Sequence, residues 1–175
     1  LAEHPFLLDF RMIHFPLSVA NPFLPPGTAT LSGVLNGEMD ITGDMANPIF
    51  NGFLDFDTTT VNVDMLGTPL KFSEDKIPVE NNIVMFRNFA ITGVNDKPLA
   101  INGIVDISSM TSPKLDLAFE ARNMQIVGSK KSRRSQVYGK AFIDLDAKVR
   151  GTMSFLDVDA ALELLPGSNV TYVMA

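Results

Sequence analysis

The chain has 175 residues, with 14 Lys and Arg against 20 Asp and Glu, so its formal net charge is −6. This balance argues against a general nucleic-acid binder, which needs a basic face to displace counterions. The absence of cysteine excludes disulfide frameworks, thiolate zinc sites and cysteine nucleophiles. Because 46% of the residues are hydrophobic and only 19% are charged, the chain is not intrinsically disordered.

The first elements predicted along the chain are a short helical turn and a long strand. Residues 16–24 suit one helical turn, which Pro25-Pro26-Gly27 closes. From Ala29 to Thr42, apolar residues or glycine at the odd positions alternate with mainly polar residues at the even positions. That period is typical of a β-strand with one buried face.

The same alternation continues through most of the remaining chain. It covers residues 50–57, 61–65, 83–91, 99–107, 115–121 and 141–155. Residues 157–165 have a helix-forming composition, but residues 156–164 also alternate, and the neighbouring pattern favours a strand there. Residues 71–82 and 128–136 are predicted to be loops. Long strands with one wet face indicate an antiparallel sheet.

A sequence motif recurs about 50 residues apart. Ile41-Thr42-Gly43 precedes Asn51-Gly52, and Ile91-Thr92-Gly93 precedes Asn102-Gly103. The two units, around 29–65 and 83–121, suggest stacking along one axis, with glycines at positive φ or at bulges where strands bend. Since the chain opens on a residue other than Met and ends in strand-like composition, residues 1–175 are interpreted as one β-rich segment excised from a longer protein.

The sequence predicts no catalytic, cofactor or metal site. His4 and His14 are its only histidines, and no metal-ligand spacing surrounds them. Serine-nucleophile, phosphate-loop and dinucleotide-binding motifs are absent. We therefore predict a protein that is not an enzyme and binds no cofactor.

The charged clusters are interpreted as solvated surface. Asp55 and Asp57 form one i, i+2 pair, and Asp144 and Asp146 form another. On a strand this spacing places both carboxylates on one face, where acids solvate the wet side of an apolar sheet. The basic cluster at residues 130–134 is flanked by glycine and serine, which is typical of a flexible loop.

Strict alternation also predicts which residues share a face, because a one-residue slip would turn each apolar side chain to the other side. We predict one apolar stripe, contiguous in space, that lines a hydrophobic groove. The predicted groove residues are Leu31, Leu35, Met39, Ile41, Leu54, Phe56, Val61, Val63, Ile83, Met85, Phe89, Ile91, Leu99, Ile101, Val105, Leu117, Phe119, Ile143, Leu145, Val149 and Met153.

Short motifs follow one another in a fixed order across nearly the whole chain. They are His14-Phe15-Pro16-Leu17, Asn21-Pro22-Phe23-Leu24-Pro25, Leu31-Ser32-Gly33-Val34-Leu35-Asn36-Gly37, Asp40-Ile41-Thr42-Gly43, Asn47-Pro48, Asn51-Gly52, Leu66-Gly67-Thr68, the second Ile-Thr-Gly unit, Tyr138-Gly139-Lys140-Ala141 and Val149-Arg150-Gly151. In this order and spacing, the chain resembles the TamB (translocation and assembly module) family of AsmA-like proteins of diderm bacteria. Its composition, rich in Phe and Asn, resembles that of the Bacteroidetes branch.

The resemblance implies a fold and a cellular setting. The expected fold is all-β: an elongated, curved, mostly antiparallel sheet folded over itself (a β-taco or open β-roll), with an apolar inner groove and at most one or two short helical turns. The expected setting is the periplasm, with the parent protein anchored in the inner membrane. Other parts of that parent would meet a BamA-like outer-membrane barrel. The family is associated with protein secretion, outer-membrane assembly and phospholipid transport.

Two functional hypotheses stay open. In the first, a non-catalytic groove shields phospholipid acyl chains or unfolded outer-membrane protein strands. Neighbouring β segments of the same chain then pair at both ends, and nucleic acid is not a partner. In the second, the chain is a structural spacer or an exported adhesin-like β-sandwich with a closed core. An enzyme such as a β-helical polysaccharide lyase is disfavoured, because no acid/base constellation converges.

Overall fold

The chain folds almost entirely into β-strands. The structure, a computed structural model, describes residues 6–64, 66–130, 137–152 and 154–173. The described strands are β1 (Phe6–Pro16), β2 (Ala29–Gly43), β3 (Pro48–Val63), β4 (Thr68–Phe72), β5 (Ile77–Glu80), β6 (Ile83–Thr92), β7 (Pro98–Asp106), β8 (Lys114–Val127), β9 (Val137–Thr152), β10 (Phe155–Leu164) and β11 (Asn169–Tyr172). Among the described residues, the only helix is a 3₁₀ helix at Leu17–Phe23.

All these strands belong to one antiparallel sheet in the order β1-β2-β3-β4-β6-β7-β8-β9-β10. Two short strands, β4 and β5, together fill the place between β3 and β6. Each of them pairs with a different part of β3 and a different part of β6. β11 continues the position of β10 and pairs with the first residues of β9. The prediction of an all-β, mostly antiparallel sheet with one short helical turn is confirmed, as is the strand predicted at residues 156–164.

The loop predicted at residues 71–82 is wrong, because much of this segment pairs within the sheet. β4 ends inside it and β5 lies wholly within it. Ile77 and Val79 of β5 are almost completely buried. The prediction failed because β5 is only four residues long and follows a polar stretch that hides its alternation. Of the second predicted loop, residues 128–130 have no regular structure, and residues 131–136 lie outside the described part of the chain.

One face of the sheet, here called the inner face, carries the core. Three clusters of buried residues lie on it, and their members are Ile77, Phe89 and Ile101; Ala121, Met124 and Ile143; and Val127, Val137 and Ala141. Leu66, just before β4, and Leu70 of β4 pack against the second and third clusters, which belong to β8 and β9. Since those strands lie three and four positions away from β4, the sheet curls over its inner face.

Register shifts interrupt the β1–β2, β2–β3, β6–β7 and β8–β9 pairs. In three of these pairs, a non-glycine residue adopts positive φ and donates its backbone N–H to a side-chain oxygen of the neighbouring strand. These donor–acceptor pairs are His14 with Asn36, Asn88 with Asn102 and Asn123 with Asp144, at 2.7–2.8 Å. The bulges are therefore built by specific polar side chains.

Both copies of the recurring motif fold as hairpins, β2–β3 and β6–β7. Their turns lie at opposite ends of the sheet, because β3 starts at its turn and β6, which runs in the same direction, ends at its turn. The equivalent glycines Gly52 and Gly103 both have positive φ. A β-carbon at Gly52 would overlap the backbone oxygen of Glu38, and one at Gly103 would overlap that of Asp116. Only glycine permits this close approach of strands.

Candidate functional site: the apolar inner face

The structure brings most of the predicted groove residues together on the inner face, where they pair across neighbouring strands. Phe89 and Ile101 lie at its centre, with 3% and 9% of their surface exposed. The predicted residues on this face are Leu31, Leu35, Met39, Ile41, Leu54, Phe56, Val61, Val63, Phe89, Ile91, Leu99, Ile101, Val105, Leu117, Phe119, Ile143, Leu145 and Val149. All of them are buried or half-buried. Met153 lies outside the described residues.

The prediction is wrong for Ile83 and Met85, which lie on the outer face of β6. Ile83 pairs with the outward Asp106, and neither residue joins the buried clusters. Their neighbours Val84 and Phe86 take the inner positions and pack against the first cluster.

The reason is an extra residue in β6. The register of the β6–β7 pair shifts between Phe86 and Phe89, so the inward positions change from even to odd numbers there. Asn88 adopts φ 55° inside this bulge. Asparagine tolerates the left-handed region better than most residues. Its position in the middle of an alternating run was therefore the sequence signal for the shift.

A cluster of phenylalanines fills the centre of the inner face. The ring centroids of Phe56 and Phe72 lie 5.3 Å apart, and each ring lies 5.9 Å from that of Phe89. Phe86 adds a fourth ring, 6.0 Å from Phe89. These are edge-to-face or tilted arrangements, which aromatic side chains favour. The centre of the face is thus packed by side chains of its own strands, several of which the sequence prediction missed.

The inner face becomes open at both sides of the sheet. On β1, alternate residues continue the apolar pattern of β2, and we call them the β1 margin: Leu8, Phe10, Met12 and Phe15. On β10 the corresponding β10 margin is Leu156, Val158, Leu162 and Leu164. Phe10 is 47% exposed and Leu162 is 66% exposed. No described strand covers either margin.

The histidines and the acid pairs do not converge on a site in the described residues. His14 is exposed on β1, and His4 lies outside the described part. Asp55 is on the outer face, paired with Asn36. Asp144 accepts the backbone N–H at the β8 bulge. Within the described ranges, no group of three or more His, Asp or Glu side chains could hold a metal ion.

The outer face of β8–β10 carries charged residues of both signs. Arg122 contacts Glu120 at 3.2 Å and Asp146 at 2.7 Å, and the hydrogen bond to Asp146 raises the pKa of the Arg122 guanidinium. Arg150 Nε donates to Asp116 Oδ1 at 3.1 Å. These pairs are exposed, so each contributes little to stability.

Comparison of the chain with models of protein families, with curated proteins and with solved structures finds no match. Across the described residues, none of the helical structure is long and apolar enough to cross a membrane. The inner face, with its packed centre and two open margins, is the structural feature from which a function can be inferred.

Proposed function

We propose that this chain is a non-catalytic segment of a TamB-like, envelope-spanning protein whose apolar inner face shields hydrophobic cargo in the periplasm. The observation that carries the proposal is the continuation of the inner face onto two uncovered edge strands, β1 and β10. The cargo class is phospholipid acyl chains or unfolded strands of outer-membrane proteins. The periplasmic setting and a BamA-like barrel as the partner of other parts of the parent protein follow from the resemblance to the family.

The physical support is the solvent exposure of the margins. Contiguous apolar patches of large side chains are uncommon on soluble proteins and mark surfaces that bind something. Complete burial of one Leu or Phe side chain is worth about 1.5–3 kcal/mol. A ligand that covers the half-exposed Leu8 and Phe10 therefore gains a useful part of that free energy at each residue.

The packed centre of the inner face leaves little exposed apolar surface for cargo to contact. Phe89 and Ile101 are already buried by neighbouring side chains, so an acyl chain gains little by approaching them. The margins are different, because each of their residues has protein on one side and solvent on the other. Cargo is therefore assigned to the β1 and β10 margins, and the packed phenylalanine cluster lies between them.

The phenylalanine cluster also supports a second candidate, a structural spacer. Its rings pack as in a closed core, and a spacer needs only such a core to keep its shape. In that case the margins are covered by further protein and carry no cargo. The two candidates differ in whether the isolated chain retains lipid.

Native mass spectrometry of the chain, purified without detergent from a diderm host, separates them. Under the cargo proposal, a fraction of the protein carries the added mass of a phospholipid, and tandem fragmentation identifies its acyl chains. A clean protein mass in every preparation would contradict lipid cargo and favour the spacer.

Two consecutive residues of β1 provide a matched pair of variants. Leu8 faces inward in the β1 margin and Leu7 faces outward, and both are at least half exposed. Leu8→Asp should reduce the lipid-bound fraction, because a carboxylate in the margin opposes contact with hydrocarbon. Leu7→Asp should leave that fraction unchanged. Equal loss in both variants would show that lipid does not sit on the inner face.

A further inference from the structure

β10 forms one edge of the sheet and is the most exposed long strand of the described chain. All ten of its residues, Phe155–Leu164, are exposed. One side of β10 pairs with β9, and no described strand pairs with the other. A free edge presents unpaired backbone N–H and C=O groups and is a template for one more strand.

Two rows of the outer face next to this edge place opposite charges side by side. Asp116 of β8, Arg150 of β9 and Asp157 of β10 stand side by side in register. In the neighbouring row, Lys148 of β9 stands beside Asp159 of β10. The two β9 cations that lie opposite β10, Lys148 and Arg150, thus each have an acid beside them on β10, and these acids are the last charges before the free edge.

The acids of β10 lack a cationic partner on their free side. Asp157, Asp159 and Glu163 all point to the outer face, and Glu163 stands beside another acid, Asp144. Opposite charges on directly facing residues stabilise a strand pair, and like charges destabilise it. A strand with Lys or Arg at its outward positions would continue the row Asp116–Arg150–Asp157 by one more opposite charge.

We propose that the free edge of β10 pairs with one further β-strand that carries basic residues on the outer face and apolar residues on the inner face. The apolar residues cover the β10 margin, so that cargo is left with the β1 margin where this strand is paired, and the basic residues face the three acids. This inference goes beyond the cargo proposal, because the partner is selected by hydrogen bonds to the β10 backbone and by charge on the outer face, whereas cargo is held by the apolar inner face alone.

A second copy of this chain fits the edge poorly. Antiparallel pairing of two β10 strands with their inner faces aligned sets acids opposite acids. The other edge strand, β1, presents Asp9 and Arg11 on its outer face. These two side chains already contact each other at 3.4 Å, so β1 offers no row of cations.

The test uses three labelled nine-residue peptides added to the full chain. One alternates Lys and Val, one alternates Glu and Val, and one has the Lys/Val composition with the lysines grouped together. Fluorescence anisotropy should show roughly tenfold tighter binding of the alternating Lys peptide than of the other two, since about three facing charge pairs favour it. Binding of the grouped peptide as tightly as the alternating one would overturn the proposal.

A charge variant of the edge checks the residues responsible. Asp157→Asn/Asp159→Asn/Glu163→Gln keeps side-chain shape and should bind the alternating Lys and Glu peptides equally. Circular dichroism verifies that this variant stays folded. A retained preference for the Lys peptide in the folded variant would overturn the role of these acids.

Because the chain has no cysteine, a single introduced thiol can locate the strand. With Cys at the central outward position of the alternating Lys peptide, Ala161→Cys should form a disulfide with the peptide. Leu7→Cys, on the outer face of β1, should not. A cross-link at Leu7→Cys instead, or a disulfide-linked protein dimer of Ala161→Cys that forms in preference to the peptide adduct, would overturn the assignment. None of these readouts involves lipid, so they are independent of the cargo proposal.

Discussion

Replacing Ile101 with Asp tests whether the centre of the inner face is dry, and replacing Leu162 with Asp tests whether the β10 margin is open. Both residues point inward, and both substitutions introduce the same carboxylate. They differ in exposure, which is 9% for Ile101 and 66% for Leu162. The same chemical change should therefore destabilise the fold strongly at Ile101 and only slightly at Leu162.

The expected magnitudes follow from burial. Removing a buried Ile side chain costs about 2–5 kcal/mol, and burying an unpaired carboxylate adds several kcal/mol. The sum for Ile101→Asp reaches the total stability of a typical domain, about 5–15 kcal/mol. At Leu162 only about a third of the side chain is removed from water, so the loss is about 0.5–1 kcal/mol.

Urea denaturation followed by far-UV circular dichroism measures both variants, since the chain has no tryptophan to report by fluorescence. Burial raises the pKa of the carboxyl introduced by Ile101→Asp above its unfolded value of about 3.9. Its destabilising effect is therefore complete above the folded pKa and shrinks as the pH falls below it. The difference in unfolding free energy from the parent chain should narrow in acid.

Two results would refute this reasoning. An Ile101→Asp variant within about 1 kcal/mol of the parent chain at neutral pH would mean that water reaches the centre of the inner face. A Leu162→Asp variant as unstable as Ile101→Asp would mean that the β10 margin is part of the packed core.

Three further substitutions test the bulges and the outer face. Asn102→Ala should lower the free energy of unfolding by about 1–2 kcal/mol, because it removes the acceptor of a backbone N–H at the β6 bulge, while Asn102→Asp should retain it. Gly103→Ala should be more destabilising than Gly167→Ala in the same urea assay. Both glycines have positive φ, but only at Gly103 would a β-carbon overlap the next strand. Asp106→Asn should make stability less sensitive to acid, because the side-chain and backbone hydrogen bonds from Ser108 lower the pKa of Asp106 in the folded chain. That contribution is present above the unfolded pKa of about 3.9 and is lost as the pH falls through the folded pKa, so unfolding curves recorded between about pH 2 and pH 6 measure it.

Alternation predicted the facing of residues wherever a strand runs without interruption. In β7, Leu99, Ile101 and Val105 all face inward as the period of two requires. In β6 the same reasoning gave the wrong face for the residues before Asn88. The bulge adds one residue, so the inward positions are even-numbered before it and odd-numbered after it. A period read from the sequence cannot by itself show where such a residue is inserted.

The open margins could not be predicted from the sequence either. β10 alternates as regularly as β9, and its inward residues are just as apolar. Their different exposure depends on the presence of a strand on each side, which is a property of the sheet order. The charge pattern at the edge has the same origin, since Asp157 and Arg150 become neighbours only through the register of β9 and β10.

The bulges also determine where the chain tolerates a change in length. Within a regular strand, deletion of one residue turns every later side chain to the wrong face. At the β6 bulge the two paired segments are already unequal. β6 takes three steps from Phe86 to Phe89, while the facing β7 takes two, from Gly103 to Ile101. Deleting Arg87 would make the two segments equal in length and leave both phenylalanines facing inward. At this point β6 can therefore lose one residue while its inner and outer side chains stay on their present faces.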